Sequence, residues 1–161
     1  MNNIYYRNQY KKIGSAKTGI EIVIDTPNVT RELIEYIAEK EQPKIISFTD
    51  KVKIIDEHCF YHMNIDSISF NSAINIEQIR TGAFKKARRL HCVDCFENVK
   101  ILEESAFEET QSEDCLYLPN IKQIPANCFK NAKFLSIITP NAEQVAESAF
   151  DGLQVENLTN C

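Results

Sequence analysis

The chain has 161 residues, 43% of them hydrophobic, with only 4 Gly and 5 Pro, a composition that excludes a disordered or collagen-like protein and suits one globular domain. A formal net charge of -5 gives no general electrostatic reason to bind the phosphate backbone of nucleic acid. No run approaches the roughly 18 apolar residues of a membrane span, and Met1 to Tyr10 has no apolar leader, so six Cys are expected as reduced thiols in a cytoplasmic protein.

Residues 1–19 carry Arg7, Lys11, Lys12 and Lys17 with no acid, and Tyr5, Tyr6 and Tyr10 among them. They read as a basic N-terminal arm or as a cap over whatever follows. A strand-like stretch, Ile20 to Ile24, comes next. From Thr30 to Lys40, Leu33, Ile34, Ile37 and Ala38 stand at helical spacing behind a Thr able to cap the first turn, which predicts a helix. Ile45, Ile46 and Phe48 predict the next strand.

Beyond this point one pattern governs the chain. Phe60, Phe84, Phe107, Phe129 and Phe150 are 24, 23, 22 and 21 residues apart. A small residue precedes each (Cys59, Ala83, Ala106, Cys128, Ala149), and an aliphatic stands five before (Ile55, Ile79, Leu102, Ile124, Val145). Eight before come Val52, Ile76, Val99, Ile121 and Ala142, preceded four times by Asn, at 75, 98, 120 and 141. After each Phe an alternating stretch predicts one short strand: Ile68 and Phe70, Val93 and Cys95, Leu116 and Leu118, Ile137 and Thr139, and finally Leu158. A unit this short cannot bury its own apolar face, so consecutive coils must stack, with the Phe side chains as a spine.

Several polar clusters fall inside this repeat. His58, Cys59 and His62, with His91, Cys92 and Cys95, offer the ligand types of tetrahedral zinc. Cys59 and Cys128, however, share the small position before Phe, Cys92 and Cys115 each lie eight after one, and Cys95 is an inward strand position, so zinc is the lesser reading. Cys92 and Cys115 could stack closely enough for a disulfide, which a reducing compartment would leave open. No cofactor and no catalytic centre are expected, because a thin solenoid lacks the shaped pocket that a nucleophile and its base require. Lys85, Lys86, Arg88 and Arg89 form one basic cluster, but Lys85 and Lys86 are in register with Glu108 and Glu109 one coil later and read first as exposed cross-coil pairs. Coil three is irregular: Glu113 falls where neighbouring coils offer Leu90 and Phe134, which predicts a bulge or acidic loop.

The unit from Leu116 to Ala132 resembles the leucine-rich repeats of the BspA-like, Treponema pallidum type, whose pattern is an aliphatic strand, Pro, an aliphatic, Ile-Gly and Ala-Phe. It departs from that pattern where Asp56, Arg80, Glu103, Pro125 and Ala146 replace the Gly. The resemblance implies a right-handed α/β repeat solenoid with a short parallel sheet and a helical first coil, of about six coils spanning residues 20–161. It also implies a non-enzymatic protein-binding module. Partner contacts are expected on outward strand positions: Ser47, Ser69, Asp94, Tyr117 and Ile138, with Phe96 either an outward aromatic anchor or a side chain folded back over the coil edge. The alternative is self-assembly as a homo-oligomer through the C-terminal end, with Cys161 available for an inter-chain bond.

Overall fold

The computed structural model describes residues 3–63, 65–70, 75–91 and 96–156. It is a β-solenoid whose coils stack through two long parallel ladders. One joins Gly19–Ile24, Ile45–Phe48, Ser67–Ser69 and Leu90–His91, and Leu90 N–H then donates to Gln111 O; Cys115–Tyr117 beside Ser136–Ile138 is a separate pair. The other joins Asn28–Val29, Ile54–Ile55, Gln78–Ile79 and Ile101–Leu102, with Gln123–Ile124 paired to Gln144–Val145 further on. The second ladder corrects the expectation of one strand per coil. In four coils the aliphatic five before the Phe, Ile55, Ile79, Leu102 and Ile124, is its inward residue, while Val145 in the last is exposed, so a position that reads in sequence as a lone core contact is also hydrogen-bonded in register. A third pairing, Lys133–Phe134 with Gln154–Val155, appears late in the chain.

The first coil is helical, as its spacing predicts. Arg31–Glu41 begins at Thr30, which is extended (φ -96, ψ 158) and accepts from Leu33 N at 3.3 Å, and it ends at Gln42 in the left-handed region. Leu33, Ile34 and Ile37 are fully buried. Ahead of it, Tyr10–Ser15 forms an edge strand antiparallel to Gly19–Ile24, Tyr6 packs on Tyr36, and Tyr10 donates to Glu41 at 3.0 Å. The hydrogen bond from Lys12, at 2.7 Å, holds the Glu41 carboxyl below the usual carboxylate range. Among the described residues no helix is long and apolar enough to cross a membrane.

The later coils are not helical on that side, which corrects the α/β expectation. Around each spine Phe the chain runs in overlapping turns, and for the first four the residues two before and two after take positive φ: His58 and His62, Gly82 and Lys86, Ser105 and Glu109, Asn127 and Asn131; at Phe150 it is Gly152 alone. A helix cannot accommodate such residues every fourth position. They supply the left-handed third residue of type II-like turns, as in Asp56 to Cys59 and Phe60 to Met63, where the fourth N–H returns to the first carbonyl. At Lys86 or Glu109 this conformation costs about 1–2 kcal/mol relative to glycine. The compensation is visible in the hydrogen bonds. The N–H groups that the turns leave free point along the solenoid axis and reach the next coil: Phe60 to Ala83 O (2.8 Å), Phe84 to Ala106 O (2.9 Å), Phe107 to Cys128 O (2.9 Å), Phe129 to Ala149 O (2.8 Å), and likewise Lys86 to Glu108 O and Glu109 to Lys130 O. At Gly82 the positive φ itself favours glycine; a Cβ there would meet only the imidazole end of His58, an exposed side chain free to turn aside.

Where the helical coil meets the first turn coil this backbone ladder has no donor to continue it. Arg31 fills the gap, donating to His58 O at 2.9 Å and Tyr61 O at 2.7 Å. The carbonyls equivalent to that of Tyr61 in later coils, at Glu108, Lys130 and Asp151, accept from the backbone instead. A third ladder is made of side chains: Asn98 donates to Asn75 Oδ1, Asn120 to Glu97 O and Asn141 to Pro119 O, which explains why Asn recurs there.

Inside the coils Phe60, Phe84, Phe107, Phe129 and Phe150 stack with ring centroids 5.4, 5.3, 5.5 and 5.4 Å apart and planes within 13° of parallel. This is offset stacking, worth about 0.5–1.5 kcal/mol per pair beyond area burial. Phe48 and Phe70 form a second stack at 4.4 Å, which Phe96 extends. Coil three solves its irregularity by a shift of one residue. Ser112, not Glu113, takes the slot between Leu90 and Phe134; its hydroxyl donates to Leu90 O at 2.6 Å and Glu113 is exposed. A buried hydroxyl with a partner costs far less than a buried carboxylate.

Phe107→Ala should lower the free energy of unfolding by about 3–5 kcal/mol, read by urea denaturation. Phe150→Ala, at a partly exposed position, should cost distinctly less, and equal losses would contradict a stack buried at its centre.

Candidate functional site: the outer strand face

The strand ladder buries alternate residues and turns the others outward. Ile22, Ile46, Ile68 and Leu116 are inward, at or near zero exposure. Outward positions in register are Ser47 beside Ser69, Ser69 beside His91, Cys115 beside Ser136, and Tyr117 beside Ile138. The short unit that left the choice between Ile137 and Ile138 open resolves as expected: Ile137 pairs with inward Leu116 and packs against the core, while Ile138 pairs with Tyr117.

The six residues expected to contact a partner are therefore not equivalent. Ser69, Tyr117 and Ile138 lie on the outer face, each partly exposed. Ser47 lies there too but is only 5% exposed, its hydroxyl donating to Glu21 at 2.7 Å, so it is engaged within the sheet. Asp94 is outside the described residues. Phe96 is corrected: it is 1% exposed, with its ring 5.0 Å from Phe70 and 6.0 Å from Phe107. Of its two readings, the one folded over the coil edge holds, because an aromatic gains more from filling the space between two phenylalanine stacks than from standing in water.

Sequence reasoning missed His91, Cys115 and Ser136 as outer-face residues. Leu90–His91, rather than the Val93 and Cys95 picked out by spacing, pairs with Ser67–Ser69; those two residues are outside the described set. His91 Nδ1 stands 3.5 Å from Asp114 Oδ2. Cys115 is disulfide-bonded, which corrects the expectation of a reduced thiol there. Cys92, the partner that the repeat register would give it, lies outside the described residues. Coils about 4.8 Å apart bring matching positions near the 4.4–6.8 Å Cα separation that a disulfide spans.

The His58, Cys59 and His62 group does not converge. Cys59 Sγ is directed inward and donates to Val29 O at 3.4 Å, whereas the left-handed backbone turns His58 out over Gly82. Among the described residues no three His, Cys, Asp or Glu side chains are placed to hold a metal ion. Burial pushes the Cys59 and Cys128 thiols well above their ordinary pKa, so neither is a ready thiolate nucleophile. The basic cluster pairs across coils as its register predicts: Lys85 reaches Glu108 at 2.7 Å and Lys86 reaches Glu109 at 3.7 Å.

Residues 32–159 match the model of the BspA type leucine-rich repeat region, in 6 copies. No curated protein and no solved structure matches the chain.

In the native protein Cys59 and Cys128 should resist a maleimide reagent and become modified only in denaturant, as followed by peptide mass spectrometry. Modification of either at the unfolded rate under native conditions would contradict their place in the core.

Proposed function

Because the chain belongs to the BspA-type leucine-rich-repeat family, we propose that it is a non-enzymatic protein-interaction module whose outer strand face receives the partner. The observation that carries this reading is the pairing of Tyr117 with Ile138. Side by side on adjacent strands, each partly exposed, they form an aromatic and aliphatic pair at the surface. Ser136, polar and partly exposed, lies on the same two-stranded face beside Cys115. An apolar centre among polar groups is the anatomy of a recognition surface, in which one aromatic anchor often carries a large share of the binding energy. The hydrogen-bonded strand pair beneath supports the reading further, since a surface already in register has less to order on binding.

The test compares immobilised wild-type protein with a Tyr117→Ala, Ile138→Ser variant, both verified by circular dichroism and exposed to lysate of the source cells. A specific partner, identified by mass spectrometry and then titrated, should bind the variant at least tenfold more weakly, in line with an anchor worth about 2 kcal/mol. Undiminished binding of that partner to the folded variant would remove the strand face as the site.

A further inference from the structure

Where the turn runs pass back toward the strands, a groove of about 680 Å³ crosses four coils. One repeat position, two residues after the spine Phe, lines it throughout: His62, Lys86, Glu109 and Asn131. Met63, Arg88 and Gln111 complete it. A second groove of about 370 Å³ shares Gln111 and contains Arg89, Glu113 and Lys133.

The cations here differ in what holds them. Lys85 and Lys86 are paired across coils, and Lys133 is bound to Glu156 at 2.6 Å. Arg88 and Arg89 are exposed and have no ion-pair partner among the described residues. Arg89 is also held at φ 58, a left-handed conformation that costs a non-glycine residue about 1–2 kcal/mol. With the backbone so bent, these two consecutive residues line two different grooves.

We propose that these joined grooves bind an extended, carboxylate-bearing segment of a protein partner. Each free guanidinium presents a planar fork that matches a carboxylate bidentately. In a chain of net charge -5, two arginines without an ion-pair partner among the described residues are a local reversal of sign that draws acidic groups to this place. Glu109 and Glu113 line the same grooves and would face the closely spaced charges of a nucleic acid or sulfated glycan; carboxylates spaced along a peptide can pass between them. Gln111 and Asn131 can pair with the peptide's backbone amides, and Met63 offers an adaptable apolar contact. This surface is distinct from the Tyr117 and Ile138 patch, so either can fail without the other.

Fluorescence anisotropy of the full chain with three labelled probes decides the matter: a ten-residue peptide alternating Glu and Ser, its Gln and Ser counterpart, and a heparin-derived oligosaccharide. The Glu peptide should bind and weaken with added salt, and the Gln peptide should not bind. Arg88→Gln with Arg89→Gln should reduce affinity tenfold or more at an unchanged unfolding midpoint. Arg88→Lys with Arg89→Lys should recover only part of it, and Tyr117→Ala should change nothing. The proposal is overturned if the Glu peptide does not bind, if the two peptides bind alike, if the Gln variant binds the Glu peptide as tightly as wild type, or if the oligosaccharide binds more tightly than the peptide.

Discussion

At every spine phenylalanine two demands are met at once: the ring must lie on the ring of the next coil, and the backbone N–H must find a carbonyl there. Phe107 shows both, with its ring 5.3 Å from Phe84 and 5.5 Å from Phe129 while its N–H donates 2.9 Å to Cys128 O. The small residue before each Phe follows from this. Ala83, Ala106 and Cys128 contribute the carbonyls that receive those N–H groups, and their side chains are fully buried between coils. A larger side chain would force the coils apart and lengthen the hydrogen bonds and the ring contacts together.

The same register sets the surface. Once coils are fixed at the spacing of a parallel ladder, equivalent positions recur as rows, roughly one residue every 4.8 Å. One row becomes the cross-coil ion pair of Lys85 with Glu108, and a different one that of Lys122 with Glu143. Another becomes the asparagine ladder, another the outer strand face, and another the groove wall from His62 to Asn131. Solvent-exposed pairs in such rows contribute about 0–1 kcal/mol each, so they tune the surface rather than hold the coils. What distinguishes Arg88 and Arg89 is that the repeat gives them no carboxylate opposite.

Much of this was legible in the sequence, because a residue that must stack on its own copy recurs in sequence. The period of the Phe residues, the buried positions five and eight before them, the Thr30-capped helix and the Lys85 and Lys86 pairing were all readable in that way. Features that break or overlay the period were not. Phe96 has no regular counterpart, and its place between two aromatic stacks depends on Phe70, which belongs to another coil. Ser112 displaced Glu113 by one residue because a desolvation cost overrode simple alignment. The turn runs were hidden because His, Lys, Ser and Glu occupy left-handed positions that only Asn127, Asn131, Gly82 and Gly152 advertise. The outer face was half legible: alternation placed Ser69, Tyr117 and Ile138, but side-chain coverage of Ser47 and the packing of Phe96 are tertiary facts.

The central claim, that cross-coil bonds at the spine are part of the cooperative core and not surface turns, is tested most directly by native-state hydrogen exchange. The amides of Phe60, Phe84, Phe107 and Phe129 should exchange as slowly as those of Ile22, Ile46 and Ile68 in the strands, through the same global opening. Exchange of the phenylalanine amides at the fast rates of exposed loops, with only the strands protected, would contradict it.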